Sequence, residues 1–312
     1  MHKNQYFYSH GKLLLTGEYL ILNGAKGLAL PTVKGQSMTI FFGNEKKYNK
    51  LYWNSINEIN QSWFQGIFKL PTLDICYETE IKIALKLKIL LLKFQKIKKN
   101  FLKNSFGIYV KTKLDFPINW GLGSSSTLIN NIAKWAKINP YQLLLDKIFL
   151  GSGYDIACGY QKQAIIYSLK NNKPFIFPIY FNPPFKNKLF FLHLNKKKNT
   201  KEGIQFFRFK NKIVNQKNIN LISSITNQIT LCNTLKEFEI LLFKHEKIIS
   251  EILDIPTIKE KYFPDYLGLV KSLGTWGGDF VLISYREGMN KYFAKKGFDT
   301  LISFDKMILY QN

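Results

Sequence analysis

A glycine- and serine-rich segment in the middle of the chain gives the strongest local indication of chemistry. It reads Pro117-Ile118-Asn119-Trp120-Gly121-Leu122-Gly123-Ser124-Ser125-Ser126-Thr127. Gly121 and Gly123 let the main chain approach a ligand closely, and the serines stand where a helix is expected to begin. A helix N-terminus offers free N–H groups and a positive dipole end that bind phosphate, and the hydroxyls could hold Mg²⁺. A helix cap after a flexible turn has the same composition, so the segment alone leaves both interpretations open.

The segment matches neither of two common nucleotide-binding motifs. A Walker loop requires Gly-Lys-Ser/Thr at a fixed spacing, which is absent here, and the dinucleotide pattern G-x-G-x-x-G is incomplete. Two other segments narrow the interpretation. One is Gly11-Lys12 followed by Gly17-Glu18-Tyr19, and the other is Gly274-Thr275-Trp276-Gly277-Gly278-Asp279. Taken alone, Lys12 could be an ordinary surface lysine and the paired glycines an ordinary turn. The order of the three segments along the chain is a more specific signal than any one of them.

In that order the motifs resemble those of the GHMP kinase superfamily, which includes galactokinase, homoserine kinase, mevalonate kinase and phosphomevalonate kinase. Its members carry an amino-terminal P-G-K-x-x-L-x-G-E segment, a central P-x-x-x-G-L-G-S-S loop and a carboxy-terminal glycine-rich turn. The resemblance covers essentially the whole chain. It implies an α+β fold of two domains, a ribosomal-protein-like α/β domain over 1–160 that binds ATP and a ferredoxin-like domain over 161–312.

Within the superfamily the sequence is most similar to phosphomevalonate kinases. Tyr19 stands where mevalonate kinases usually have His, and Gly151-Ser152-Gly153-Tyr154-Asp155 matches the pattern G-S-G-[FY]-D. Gly277-Gly278-Asp279 matches the G-G-D of the last motif. The run Gly153-Tyr154-Asp155-Ile156-Ala157 is also the signature of a bacterial GYDIA subgroup.

The resemblance implies a role for each motif residue. Lys12 and Asp155 are the expected catalytic residues, and Ser125 is the expected Mg²⁺ ligand. The ATP phosphates are expected on Gly121, Leu122, Gly123, Ser124, Ser125 and Ser126. The acceptor side is expected to involve Glu18, Tyr19, Gly153, Lys271, Gly277, Gly278 and Asp279. The implied reaction transfers the ATP γ-phosphoryl group to a small anionic metabolite, phosphomevalonate or mevalonate, in isoprenoid biosynthesis.

Several positions depart from the family pattern. His10 replaces the usual proline before Gly11, and Trp276 stands where the family has glycine. No glutamate occurs between Ser125 and Asp155, although mevalonate kinases use one there for Mg²⁺; Asp146 is the only other acid in that interval. The acceptor is also open. A phosphomonoester, with a second pKa near 6, needs no base, so Asp155 favours a hydroxyl acceptor, whereas Tyr19 and Asp279 favour phosphomevalonate.

The charge of the chain sets an alternative from a different class. The 312 residues carry a formal net charge of +24, which is typical of nucleic-acid-binding proteins. However, Arg208 and Arg286 are the only arginines, and the lysines are spread along the whole chain among Asn, Ile and Phe. Compositional bias therefore explains the charge better than a polynucleotide does. A non-catalytic protein that keeps the fold and binds an anionic ligand or nucleic acid stays the alternative.

Cysteine usage and hydropathy predict the compartment. Cys76, Cys158 and Cys232 are too far apart for a metal site or a disulfide framework, which suits a reducing cytoplasm. Residues 1–9 are polar and aromatic, unlike a secretory signal. The most apolar stretch, 81–94, contains four lysines and is not expected to span a membrane. We expect a cytoplasmic protein, with a homodimer possible and no nucleic-acid or membrane partner.

Patterning predicts the elements that must position these motifs. The first 40 residues indicate strand, turn and strand. Residues 78–99 fit either a strand or a helix by periodicity, and the absence of Gly and Pro favours the helix. Further helices are expected over 127–137, 140–148, 235–253 and 288–296, and strands near 106–117, 164–169, 175–180, 188–194, 280–284, 300–304 and 306–310.

Overall fold

The computed structural model of this chain describes residues 4–43, 49–103, 107–146, 151–171, 173–196, 200–210, 214–276 and 278–310. Their contacts divide the chain into two compact units, each assembled from several separate stretches. The first takes in the described residues of Met1–Gly11, Lys34–Ile118 and Gly123–Phe149, and the second those of Lys12–Val33, Asn119–Leu122 and Leu150–Asn312. Both units contain strands and helices, which confirms the α+β class. The domain boundary near residue 160 stays a prediction.

The first unit is built on a mixed sheet that one long helix accompanies. In chain order its elements are β1 (Gln5–Leu14), β2 (Gly27–Phe42), β3 (Lys50–Ile56), β4 (Ser62–Lys69), β5 (Asp74–Glu78), α1 (Ile81–Ile97), β6 (Ile108–Leu114) and α2 (Ser124–Ala136), with a 3₁₀ turn over Pro140–Asp146. β1 and β2 contribute residues to both units. The strands follow the order β5-β4-β3-β6-β2, in which β3 and β6 are parallel and the other neighbours antiparallel. One face of α1 is buried, through Ala84, Leu87, Leu91 and Phe94.

The second unit contains a four-stranded antiparallel sheet and most of the helices. After a 3₁₀ turn over Leu20–Asn23, its elements are α3 (Tyr154–Tyr160), β7 (Ile165–Lys170), β8 (Lys173–Pro178), β9 (Leu189–His193), α4 (Thr200–Lys210), α5 (Gln216–Ile229), α6 (Leu235–Leu253), α7 (Ile258–Tyr262), β10 (Val270–Ser272), β11 (Phe280–Ser284), α8 (Met289–Lys295), β12 (Leu301–Ser303) and α9 (Phe304–Met307). The four strands lie in the order β10-β11-β9-β12. With helices between β9 and β10 and between β11 and β12, this is the ferredoxin-like arrangement that was expected.

Two apolar clusters hold the second unit together. One lies on the four-stranded sheet and includes Leu192, Val281 and Phe293. The other joins the Leu20–Asn23 turn to the helices and includes Ile249 of α6 and Trp276. The side chain of Thr234 begins α6 by accepting the N–H of Glu237, as its sequence indicates. These contacts fix α6 beside the turn that follows β1.

Most of the expected elements are confirmed, with differences that have physical causes. α1 is a helix that begins after the Glu80 cap, and β11 has the expected bounds. The helix expected over 140–148 is a 3₁₀ helix over Pro140–Asp146, and residues 147–148 lie outside the described residues. The strand expected over 306–310 is reduced to a single antiparallel bridge between Ile308 and Thr32, because residues 304–307 form a helical turn that buries Phe304 and Met307. Within the described part of the chain, no helix is long and apolar enough to cross a bilayer.

Candidate active site

Lys12 is tied to the glycine loop by both its main chain and its side chain. Its N–H donates to the Leu122 carbonyl at 2.9 Å, and its Nζ donates to the Gly121 carbonyl at 3.1 Å. The residue is half-buried near the end of β1. These two bonds place the lysine ammonium at the first glycine of the loop. The two motifs that these bonds join are more than a hundred residues apart in the sequence.

Asp155 lies close enough to Lys12 for the two charges to interact. Gly153 adopts a left-handed conformation, with φ of 83°, and begins α3, so Tyr154 and Asp155 occupy the first helical turn. The Lys12 Nζ is 5.6 Å from the centroid of the Tyr154 ring. Burial raises the pKa of Asp155 above its ordinary value, although the Lys12 charge and the N–H of Ile156 oppose that rise. The structure therefore brings both expected catalytic residues together.

Asp279 completes a charged group around Lys12. Its backbone is left-handed, with φ of 54°, and is held by bonds to Leu194 and Lys196. Burial disfavours the Lys12 ammonium, but Tyr154, Asp155 and Asp279 outweigh burial and raise the pKa of Lys12 above its ordinary value. Lys12 therefore stays charged at physiological pH. Gly278, just before Asp279, is buried, and the expected residue Gly277 lies outside the described residues.

The glycine loop has the backbone that its sequence predicts. Gly121 and Gly123 are left-handed, with φ of 65° and 88°, and α2 begins at Ser124. A side chain at Gly121 would overlap the Asp279 carboxylate, which would have to move to admit it, and the positive φ of Gly121 independently favours glycine. Leu122 is fully buried and anchors the turn.

The serines that follow have three different environments. Ser126 is buried and its hydroxyl donates to the Gly123 carbonyl at 2.8 Å, whereas Ser124 is half-buried and Ser125 is exposed. Within the described residues no side chain caps the start of α2. The N–H groups of its first turn are thus available to an anion.

Three residues expected on the acceptor side are largely enclosed. Glu18 and Lys271 are fully buried, and the Lys271 Nζ donates to Glu18 Oε1 at 2.5 Å. Tyr19, with φ of 60°, accepts the N–H of Trp276 on its hydroxyl at 3.2 Å. Glu18 and Lys271 therefore contact each other in this structure, and their place on the acceptor side stays a prediction.

Two residues of this region were missed by the sequence analysis. His245 and Glu246 of α6 contact the Glu18–Lys271 pair. No local motif marks them. Their signal is a charged or polar residue on the apolar face of a helix, since Leu242 and Ile249 of the same face are also buried.

The Trp276 side chain is packed inside the second unit. Its ring lies in the apolar cluster with Leu20, Ala25 and Phe207, and 6% of the residue is exposed. The unusual tryptophan in the third motif is therefore accommodated by packing its side chain inward.

Comparison with known proteins places this arrangement on a known fold. No protein-family model and no curated protein sequence matches the chain. Among solved structures, a mevalonate kinase is 18% identical with a TM-score of 0.68, and the match covers all of both chains. The phosphomevalonate kinase of Streptococcus pneumoniae, in complex with phosphomevalonate and AMPPNP, is 15% identical with a TM-score of 0.69, over 96% of this chain and 99% of that one.

A third similar structure belongs to a kinase that is complexed with a sugar. Lactococcus lactis galactokinase, complexed with galactose, is 14% identical with a TM-score of 0.68, over 99% of this chain and 94% of that one. The chain thus has the two-domain α+β fold of these small-molecule kinases along essentially its whole length.

Proposed function

We propose that this protein is an ATP- and Mg²⁺-dependent small-molecule kinase of the GHMP type. The observation that carries the proposal is the group formed by Lys12, Asp155 and Asp279, with Lys12 bonded directly to the Gly121 carbonyl. Phosphoryl transfer requires mainly alignment and neutralisation of charge. A lysine that stays charged beside a carboxylate and a glycine loop supplies both.

The glycine loop fits the phosphates of ATP. Its left-handed glycines expose the main chain, and the uncapped start of α2 presents N–H groups with the positive end of the helix dipole. Gly121, Leu122, Gly123 and the three serines that follow bind the phosphates in this proposal. The exposed Ser125 is accessible to a ligand.

Mg²⁺ also fits the residues present, through Ser125. Among the described residues no group of three or more His, Cys, Asp or Glu could hold a metal ion. Mg²⁺ in kinases does not need such a cage, because it keeps several waters and takes most other ligands from the nucleotide phosphates. When bound, the ion would neutralise charge on the nucleotide phosphates. Ser125 would provide one hydroxyl ligand from the protein.

Lys12 and Asp155 have different roles in the proposed reaction. The Lys12 ammonium neutralises charge on the transferring phosphoryl group. Asp155 orients the acceptor, and where the acceptor is a hydroxyl it takes the proton; its raised pKa makes it a stronger base than an ordinary aspartate.

We propose phosphomevalonate as the acceptor, with mevalonate as the second candidate. Tyr19 and the Gly278–Asp279 turn support the first, and the base chemistry of Asp155 supports the second. The products distinguish them in ³¹P NMR. Phosphomevalonate gives a diphosphate with two coupled phosphorus signals, and mevalonate gives a single monoester signal. ATP left intact with both acceptors would exclude both.

A further inference from the structure

Four buried polar side chains of the second unit form one cluster. They are Glu18, His245, Glu246 and Lys271, and at most 3% of any of them is exposed. The Lys271 Nζ lies 2.5 Å from Glu18 Oε1 and 3.1 Å from Glu246 Oε1. Charges buried this deeply persist only when they are paired and hydrogen-bonded. The cluster is therefore an internal, paired part of the fold and not a surface ion pair.

Helix α6 uses the cluster to hold two other segments of the chain. The Gly17 N–H donates to His245 Nε2 at 3.0 Å. The Glu246 carboxylate accepts the N–H of Ser272 at 3.1 Å and its hydroxyl at 3.2 Å. His245 of α6 thus holds the turn after β1, and the adjacent Glu246 holds the end of β10.

Both of these segments lead to the candidate active site. Lys12 precedes Gly17 on one segment, and Asp279 follows Ser272 on the other. The bond from the Trp276 N–H to the Tyr19 hydroxyl joins the same two segments again. Their other ends meet at the site, where the Asp279 charge acts on Lys12. The cluster and the candidate site thus lie on the same two segments of the chain.

We infer that His245 and Glu246 are positioning residues, which hold Glu18 and Lys271 so that Lys12 and Asp279 keep the geometry that phosphoryl transfer requires. This inference rests on the proposed function. Positioning matters because an error of about 1 Å in a reacting group costs on the order of a hundredfold in rate.

The protonation state of the cluster gives the positioning role a dependence on pH that packing alone would not give. With Lys271, Glu18 and Glu246 all ionised, one negative charge would be left over in a buried site. His245 Nε2 already accepts from Gly17, yet it faces Glu18 Oε2 at 3.2 Å. A proton on Glu18 removes the excess negative charge of the cluster. Burial raises the pKa of Glu18 to about 7, with Glu246 adding to the rise and Lys271 opposing it, and burial keeps His245 neutral by lowering its pKa.

A matched pair of variants tests the positioning role. His245→Leu removes the acceptor for Gly17, and His245→Gln restores one with its side-chain oxygen. We expect His245→Leu to lower kcat about tenfold or more while the KM for ATP changes little, and His245→Gln to recover most of the loss. Phe293→Leu, a buried change in α8, controls for stability. Equal losses in all three variants would overturn the inference.

Two further measurements keep the outcome decisive. Glu246→Gln removes a negative neighbour of Glu18 and so lowers the Glu18 pKa. The alkaline fall of kcat that accompanies deprotonation of Glu18 is therefore expected to move to lower pH; an unmoved fall contradicts the inference. Hydrogen exchange of peptides covering 12–19 and 271–276 is expected to accelerate in His245→Leu only. If the wild-type protein has no kinase activity, the proposed function fails, and unchanged exchange in these peptides separately refutes positioning by α6.

Discussion

Lys12 is the residue whose environment the structure defines most fully. Its side chain is bonded to the Gly121 carbonyl, stands near the Tyr154 ring and lies in the field of Asp155 and Asp279. Since these neighbours keep it charged despite its burial, its proposed role needs no change of protonation during the reaction. The role of Lys12 was predicted from motif order, but its contact with Gly121 depends on chain folding that no local pattern encodes.

Replacing Lys12 by Met should abolish most activity while keeping the length of the side chain. Loss of a preorganised charge at the phosphoryl group is expected to lower kcat by about 10²- to 10³-fold. Steady-state ADP release measures this. Lys88→Met removes a half-buried lysine that pairs with the exposed Asp74 in the other unit, so its kcat should stay at the wild-type value. Comparable losses in both variants would contradict the role of Lys12.

Replacing Gly121 by Ala should cost more stability than the same change at Gly297. Both glycines are left-handed, with φ of 65° and 82°, but a side chain at Gly297 meets no atom within 4 Å. We expect about 1 kcal/mol from backbone strain at Gly297, and about 1–3 kcal/mol more at Gly121 from overpacking against Asp279. Urea unfolding gives both values. Equal losses would show that Asp279 does not crowd the loop.

At the scale of elements, the buried cluster predicts a pH dependence of stability. The folded state raises the pKa of Glu18 from 4.5 to about 7, mainly by burial. The stability that this proton provides is fully present below about pH 4.5 and is lost as the pH rises through about 7. Glu18→Gln does not titrate. The free energy of unfolding of the wild type, minus that of the variant, should therefore fall between these pH values, by at most about 1.4 kcal/mol per pH unit. Urea unfolding at several pH values tests this, and a constant or rising difference would contradict it.

The elements also show where prediction from sequence succeeds. α1 and α6 could be predicted because capping groups and an uninterrupted helical pattern agree. β3 was missed although alternate residues of the strand are buried, since its mixture of Trp, Tyr, Ser and Asn hides the alternation. His245 and Glu246 could not be recognised because their function depends on partners from two distant segments.

At the scale of the whole molecule, the net charge of +24 is best explained as a diffuse field that favours anionic ligands. A polynucleotide-binding role would make affinity fall steeply with salt. We therefore expect kcat/KM for a small acceptor to change only a few-fold between 50 and 200 mM salt, whereas any binding of DNA should fall by orders of magnitude. Steady-state assays and fluorescence titrations measure the two. DNA binding with that steep dependence on salt, together with no turnover of a small acceptor, would support the non-catalytic alternative.

The central claim is that this chain transfers the γ-phosphoryl group of ATP to a small molecule with Asp155 at the site. The most direct test is ADP release in the presence of Mg²⁺ with phosphomevalonate, mevalonate, homoserine or galactose as acceptor, for the wild type and for Asp155→Ala. The account predicts turnover of phosphomevalonate or mevalonate by the wild type, and a loss of about 10²-fold or more in the variant. No turnover of any acceptor, or an Asp155→Ala variant as active as the wild type, would contradict it.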